Sequence, residues 1–135
     1  MNVQSEQEMI GVGRDFAKKI TAPMVVELVG DVGVGKTTFV RGLAEGLGVK
    51  ESVTSPSFTI SKVYALPEGG NLIHYDFYRL KEPGLMMDDL AEKIAEGNNV
   101  IVIEWGDSVA ELLPDEHMVI RFEYDDEGGR HLDVL

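Results

Sequence analysis

The sequence contains no cysteine among its 135 residues. Disulfide bonds, thiolate metal sites and cysteine nucleophiles are therefore excluded, and packing must supply the stability. There is also no run of 18 uncharged apolar residues, and the N-terminus MNVQSEQEMI has neither a basic start nor an apolar stretch. We therefore expect a cytoplasmic protein with no membrane span and no signal peptide, folded as a single domain over residues 1–135.

Basic residues are scarce, and their scarcity is confined to one part of the chain. Lysine and arginine number 12 against 24 aspartates and glutamates, for a net charge of -12. Residues 1–50 carry six of each kind, so all of the excess lies in residues 51–135. Nucleic-acid binding needs basic surface, so we expect no strong direct binding of RNA. The excess is either a solvated surface or an acidic docking face for a basic partner.

A strand, a glycine-rich loop and a helix follow one another without a gap. Met24–Val29 is a short apolar run that ends in glycine, which is typical of a buried strand. From Lys36 to Leu47 apolar residues recur on one helical face, and Gly48 is placed to end that helix. Strand–loop–helix is the local order of a phosphate-binding unit in an α/β protein.

The remaining periodicities predict three more helices and five more strands. Ser5 and Glu8 have the spacing of a capping box, and apolar residues then recur at helical intervals towards Pro23. The other predicted elements are a hairpin of strands 58–64 and 71–75, a helix over 83–95, a strand over 100–104, a short helix over 108–113, and a hairpin of strands 118–124 and 130–134. The order predicts a three-layer α/β domain, with a mainly parallel central sheet extended by antiparallel hairpins.

The loop after the first predicted strand satisfies the pattern G-x4-G-K-[ST] from Gly30 to Thr37. Glycine is needed where a side chain would block backbone N–H groups from the phosphate oxygens, and the following helix directs its positive end at the same anion. Lys36, expected to be an exposed side chain whose loss leaves the fold intact, would reach the β and γ phosphates, and the Thr37 hydroxyl would ligate Mg²⁺. The predicted nucleotide-binding residues here are Asp31, Val32, Gly33, Val34, Gly35, Lys36, Thr37 and Thr38.

Two carboxylates end predicted strands and complete a candidate hydrolytic site. Glu104 ends the strand VIVIE and is predicted to be a second Mg²⁺ ligand, with an ordinary solvated strand end as the alternative. Asp76 ends LIHYD and is predicted to orient the attacking water or a metal-bound water, with a turn-capping role as the alternative. With Lys36, these residues are the predicted catalytic set.

Three further features have two interpretations each. Thr54 and Ser55 open a hydroxyl-rich loop that either senses the γ-phosphate or is a plain turn made rigid by proline. His74 should share the face of Asp76, and a buried, satisfied histidine is favoured over a catalytic one. Trp105 either fills the core or lies near the bound nucleotide, since it follows Glu104 directly.

Five stretches occur in a fixed order: GDVGVGKTTFVRGLAEGLGV, VTSPSFTI, HYDFYRL, IEWGD and LLPDEHMVIRFEY. In this combination the chain resembles the TsaE family, small bacterial ATPases needed to make threonylcarbamoyladenosine in tRNA. The resemblance implies ATP and Mg²⁺ as cofactors, release of ADP, and the proteins TsaB and TsaD as partners. TsaD would transfer the threonylcarbamoyl group, while this chain would drive turnover of the TsaB–TsaD assembly.

Carried over by position, the resemblance implies that Lys36 contacts phosphate, that Thr37 and Glu104 ligate Mg²⁺, and that Asp76 supports hydrolysis. Residues 54–59 would form a switch-like loop. Ser57 departs from the usual threonine but keeps the hydroxyl, and the segment after Leu80 is short.

Other proteins with the same loop remain as alternatives. A small-molecule kinase would usually have an arginine-bearing lid, and a GTPase would have N-K-x-D or T-K-x-D; neither feature is present in this sequence. A nucleotide-sensing module without useful turnover is the third alternative.

Overall fold

The computed structural model describes residues 1–31, 33–54, 61–78 and 84–135, and of Leu85 and Ser108 it describes the backbone alone. In chain order its elements are β1 (Asn2–Val3), α1 (Glu6–Ala17), β2 (Met24–Val29), α2 (Lys36–Gly46), β3 (Ser61–Ala65), β4 (Asn71–Asp76), α3 (Gly84–Ala95), β5 (Val100–Glu104), a 3-10 helix (Gly106–Leu112), β6 (Met118–Tyr124) and β7 (Arg130–Val134).

The strands of the described ranges form one seven-stranded sheet in the order β1-β7-β6-β2-β5-β4-β3. Its four central strands, β6, β2, β5 and β4, pair in parallel. Antiparallel pairs extend both edges, β3 on β4 at one edge and β7 and β1 beyond β6 at the other. The predicted fold class, a mainly parallel sheet extended by antiparallel hairpins, is confirmed. The carboxyl ends of β2, β5 and β4 therefore meet at one edge of the sheet, where open α/β sheets bind ligands.

Helices cover both faces of the sheet, and each face has its own apolar core. Side chains of α1 and α2, including Phe39 and Leu43, pack on one face with Leu72. On the other face, α3 and the 3-10 helix pack through Leu90 and Val109. Because successive residues of a strand face opposite sides, even-numbered residues of β4 and β5 lie on the α1–α2 face.

Two glycines allow α1 and α2 to approach closely. A Cβ atom at Gly42 would lie 2.0 Å from the carbonyl oxygen of Ile10, and one at Gly13 would lie 2.2 Å from that of Phe39. Any larger residue at these two places would push the helices apart. Their close contact fixes where α2 begins, and hence the position of the loop that precedes it.

The first helix differs in two details from its prediction. The Ser5 hydroxyl accepts a hydrogen bond from the Glu8 backbone N–H at 3.1 Å, but the Glu8 carboxylate accepts from the backbone N–H of Gln4 at 2.7 Å, rather than from Ser5. α1 ends at Ala17, although the apolar periodicity continues to Ile20. The N–H groups of residues 18–20 bond three residues back, so the last turn tightens and the helix ends.

Other boundaries shift by a few residues. The helix predicted over 108–113 is a 3-10 helix that begins at Gly106, and β1 was not predicted because two residues carry no periodicity. Residues 58–60 of the strand predicted over 58–64, and Pro83 at the predicted start of α3, lie outside the described residues. Among the helices that are described, none has the length and apolar character needed to cross a bilayer.

Candidate functional site

The loop between β2 and α2 requires glycine at three positions, either for its backbone conformation or for lack of space. Gly33 has φ +83° and Gly35 has φ +108°, conformations that residues with a Cβ atom rarely adopt. At Gly30 a Cβ atom would lie 2.8 Å from the carbonyl oxygen of Phe122. The glycines predicted to form a phosphate cradle therefore lie where the backbone requires them. Val32, also predicted to bind nucleotide, lies outside the described residues.

In the described part of the chain, no side chain caps the N-terminus of α2. Gly35 is the N-cap, so no side chain accepts from the first amides, and the first turn contains no acidic residue. Thr37 and Thr38 occupy that turn and are partly buried. Unsatisfied N–H groups and the helix dipole together favour an anion at this point.

Lys36 is buried, with only 4% of the residue exposed, so the prediction of an exposed lysine is wrong. Its ammonium donates to the carbonyl oxygen of Gly30 at 2.5 Å and lies 3.7 Å from Oε1 of Glu104. It also lies 4.6 Å from the centroid of the Trp105 ring. Burial follows because Lys36 begins α2 beside the ends of β2 and β5, where the carbonyl, the carboxylate and the indole surround its side chain.

Glu104 ends β5 and is as buried as Lys36, at 4% exposure. The alternative of an ordinary solvated strand end is therefore wrong. One carboxylate oxygen faces Lys36, and the other, Oε2, lies 2.5 Å from Nε2 of His74. Parallel pairing also places Asp76 opposite Glu104 at the end of β4. The structure thus brings the three predicted catalytic residues to one edge of the sheet, together with His74.

Asp76 caps a turn as well as lying at this edge. Its Oδ1 accepts a hydrogen bond from the backbone N–H of Tyr78 at 3.0 Å. Burial raises the pKa of Asp76 above its ordinary value; the Tyr78 hydrogen bond opposes that shift, and the charge of Glu104 adds to it. The two interpretations of Asp76 are compatible, because one oxygen caps the turn and the carboxylate still adjoins Glu104.

The raised pKa gives a testable dependence of stability on pH. The folded state holds the Asp76 proton more tightly than the unfolded chain, so ionisation costs stability as pH rises through that window. Asparagine keeps an oxygen acceptor for Tyr78 but does not ionise. We expect Asp76→Asn to unfold at a higher temperature than the unchanged protein at pH 7, and the difference to shrink as pH falls towards the ordinary aspartate pKa of about 3.9.

Thermal unfolding in a chelating buffer between pH 4 and 8 measures this difference. Asp125→Asn is the control, because Asp125 also accepts hydrogen bonds from backbone N–H groups in a turn. A difference for Asp76→Asn that is constant with pH, or a loss of stability at pH 7, would contradict the expectation.

Trp105 adopts a left-handed backbone conformation, with φ +58°, and is the N-cap of the 3-10 helix. It is the one non-glycine residue of the described ranges with positive φ. Its ring lies 4.7 Å from that of Tyr78, with Lys36 also against it, and it also packs against the core on the α3 face. Such strain costs about 1–3 kcal/mol and is typical of functional sites. Trp105 therefore both packs against the core and lies beside Lys36 at the candidate site.

A cavity of about 450 Å³ lies beside the loop and the start of α2. Its walls come from the start of α1, from Gly33, Gly35 and Thr38, and from the turn between β6 and β7. Arg130 lines it and lies 4.3 Å from the centroid of the Tyr124 ring. The volume suits a small organic group such as a nucleoside. The sequence left the role of Arg130 open. It did not indicate that residues 3–6 line this cavity, because no motif marks them.

The predicted switch-like loop is described only at its first residue. Thr54 is exposed, and its backbone N–H donates to the Tyr64 hydroxyl at 3.2 Å, which ties the start of the loop to β3. Ser55 and the rest of the loop to Thr59 lie outside the described residues.

Comparison with known proteins adds relatives over nearly the whole chain. The family model "Threonylcarbamoyl adenosine biosynthesis protein TsaE" matches residues 3–132. A tRNA threonylcarbamoyladenosine biosynthesis protein TsaE of Streptomyces coelicolor is 42% identical over 113 residues, covering 83% of this chain and 76% of the relative. A protein of the same name in Treponema pallidum is 38% identical over 132 residues, covering 97% and 96%.

A solved structure shares the fold. The crystal structure of YdiB from Bacillus subtilis superposes with a TM-score of 0.75 at 30% sequence identity, covering 98% of this chain and 80% of that one. Family match, close relatives and fold agree with one another: the chain belongs to the TsaE family.

Proposed function

We propose that this protein binds ATP with Mg²⁺ at the carboxyl edge of its sheet and hydrolyses it slowly, in a cycle that drives the TsaB–TsaD proteins during threonylcarbamoyladenosine formation in tRNA. The observation that carries the proposal is the buried Lys36–Glu104 pair, 3.7 Å apart, at the uncapped N-terminus of α2. A buried cation and carboxylate beside a free helix N-terminus suit a phosphate chain with its metal.

The residues around Lys36 and Glu104 fit both ATP and Mg²⁺. A phosphate group would fit between the glycines of the loop, the uncapped N-terminus of α2 and the buried Lys36. Thr37 and Glu104 would hold Mg²⁺, which neutralises charge on the phosphates when it is bound. The adjoining cavity, with Arg130 in its wall, would take the nucleoside.

Hydrolysis requires the lysine to change partners. Lys36 now donates to Gly30 and faces Glu104, and it would leave them to reach the β and γ phosphates. Release of Lys36 frees Oε1 of Glu104 on the side of the phosphate loop. Asp76 would then orient the attacking water, because its carboxylate adjoins Glu104 and remains partly accessible. Positioning and charge neutralisation, rather than covalent chemistry, would supply the rate.

The acidic charge favours protein partners over RNA. The 12-charge excess of acidic residues would repel tRNA, so we assign tRNA contact chiefly to TsaB and TsaD. Two of the relatives described above carry a name that refers to tRNA threonylcarbamoyladenosine biosynthesis. In the proposed cycle one nucleotide state favours docking of the partners, and hydrolysis releases them.

Two binding measurements test this proposal. The isolated protein should bind tRNA weakly or not at all. It should bind the TsaB–TsaD pair at least tenfold more tightly with one nucleotide state than with another, among ADP, ATP and a non-hydrolysable ATP analogue. A tenfold preference corresponds to about 1.4 kcal/mol of coupling, whereas a partner that binds every nucleotide state equally could not be driven by hydrolysis. Salt-sensitive, sub-micromolar tRNA binding would contradict the first expectation, and equal partner affinity in all states would contradict the second.

Turnover separates the proposed function from its alternatives. A nucleotide sensor would bind ATP and TsaB–TsaD without releasing phosphate, and a small-molecule kinase would release ADP only when its acceptor is present. We expect phosphate release that increases when TsaB and TsaD are added.

A further inference from the structure

His74 is a buried polar residue that the proposed chemistry does not yet use. It lies in the middle of β4, and none of its surface is exposed. Its neighbours on the same face of the sheet include Leu72 and Val102, both fully buried. A polar ring in such a place is retained only if its hydrogen bonds offset the loss of water.

Among the described residues, the ring has one hydrogen-bond partner, Glu104. Nε2 of His74 lies 2.5 Å from Oε2 of Glu104. An ionised carboxylate only accepts hydrogen bonds, so the proton of this contact belongs to Nε2. The other nitrogen, Nδ1, is buried and has no hydrogen-bond partner in the described part of the chain. With the proton on Nε2, Nδ1 is an acceptor, and in the part of the chain that the structure describes it is Glu104 that orients the imidazole.

Glu104 depends on this contact more than on Lys36. Its Oε1 lies 3.7 Å from the Lys36 ammonium, which is beyond hydrogen-bond distance, and the proposed function removes Lys36 to the phosphates. A glutamate has three rotatable side-chain bonds, so the carboxylate would then be free to turn. The His74 ring is enclosed within the sheet and stays where it is.

We propose that His74 is a positioning residue, which holds Oε2 of Glu104 so that Oε1 faces the phosphate loop as a ready ligand for Mg²⁺. The proposal rests on the proposed function, because it gives Glu104 the metal. Partners of this kind fix the orientation of a ligand, and their loss typically weakens metal affinity about 10- to 100-fold.

Two amide substitutions distinguish positioning from simple core filling. Glutamine carries its side-chain nitrogen near the place of Nε2, whereas asparagine carries it near the place of Nδ1. His74→Gln can therefore still donate to Glu104, and His74→Asn cannot. Both amides are smaller than the ring, and asparagine leaves the larger cavity, so a purely structural role would appear as a loss of stability, largest in His74→Asn, and not as a difference in Mg²⁺ dependence between the two variants.

Two quantities are measured. The first is the Mg²⁺ concentration at which half of the Mg²⁺-dependent increase in ADP affinity is reached. The second is the affinity for ADP in a chelating buffer. We expect His74→Asn to raise the half-saturating Mg²⁺ about tenfold and His74→Gln to stay within about threefold of the unchanged protein. Metal-free ADP affinity should be the same in both. His117→Asn, which breaks a 3.2 Å contact with Glu27 on the other face of the sheet, is the matched control and should not shift Mg²⁺ dependence.

A measurement on the unchanged protein does not depend on variant folding. Nitrogen-15 NMR of the imidazole should place a proton on Nε2 of His74 in the metal-free state. Equal Mg²⁺ shifts for the two amide variants, no shift in either, or a proton on Nδ1 alone would overturn the proposal. If Glu104→Gln changes Mg²⁺ dependence and His74→Asn does not, only the positioning role fails; if Glu104→Gln has no effect, the metal site of the proposed function fails with it.

Discussion

Lys36→Ala should lower the rate of ATP hydrolysis about 100-fold or more, because the ammonium is the cation that faces the β and γ phosphates in the proposed complex. ATP affinity should fall at least about tenfold, as expected for losing a charge-assisted hydrogen bond. Isothermal titration with ATP and a phosphate-release assay measure the two effects. Normal hydrolysis by Lys36→Ala would show that the loop is not the active site.

The same variant should also lose stability, which the sequence alone did not indicate. Lys36 is 4% exposed and faces the equally buried Glu104, so its removal takes away the cation that Glu104 faces and leaves His74 as its close partner among the side chains that the structure describes. A loss of about 1–3 kcal/mol is expected from thermal or denaturant unfolding without nucleotide. Lys18→Ala is the control, because the Lys18 side chain is 78% exposed and its ammonium lies 3.6 Å from the equally exposed Asp15 carboxylate. Equal stability of the two variants would contradict the buried placement of Lys36.

Glu104→Gln should reduce hydrolysis far more than it reduces nucleotide binding. Glutamine keeps the shape of the side chain and an oxygen that can accept from His74, but it removes the negative charge proposed to hold Mg²⁺. We expect turnover to fall about 100-fold, ADP affinity in a chelating buffer to change by less than about threefold, and half-saturating Mg²⁺ to rise.

Glu27→Gln provides the matched control for this change. Glu27 is also a strand carboxylate paired with a histidine, but it lies on the opposite face of the sheet, with His117 at 3.2 Å. Its substitution should leave Mg²⁺ dependence unchanged. Unchanged Mg²⁺ dependence in Glu104→Gln would assign Glu104 to structure instead.

The fold class and most elements could be predicted because their signals are local. The apolar run Met24–Val29, the helical periodicity after Lys36 and the strand VIVIE each fall within one short window, and each forms the predicted element. β1 could not be found this way, since its two residues are defined only by pairing with His131 and Arg130 at the other end of the chain. The end of α1 was missed because Ile20 is buried without being helical.

The sequence indicated which residues belong to the candidate site, but not how buried each side chain is or what it contacts. The glycine pattern and the strand ends identified Lys36, Asp76 and Glu104 as chemistry-bearing side chains. The burial of Lys36 was not visible, because it is produced by Glu104 and Trp105, nearly 70 positions further along the chain. The contact of His74 with Glu104 depends on the register of β4 against β5, which pairs Asp76 with Glu104 and which periodicity does not supply.

Reconstituted tRNA modification tests directly whether this protein drives repeated turnover of TsaB and TsaD. TsaB, TsaD, tRNA and the threonylcarbamoyl donor would be combined with ATP, and the modified nucleoside counted per TsaD over time. With this protein we expect many turnovers, while without it, or with Lys36→Ala in its place, the reaction should stop after about one. Equal multiple-turnover rates with and without the protein would show that its ATP cycle does not drive TsaB–TsaD.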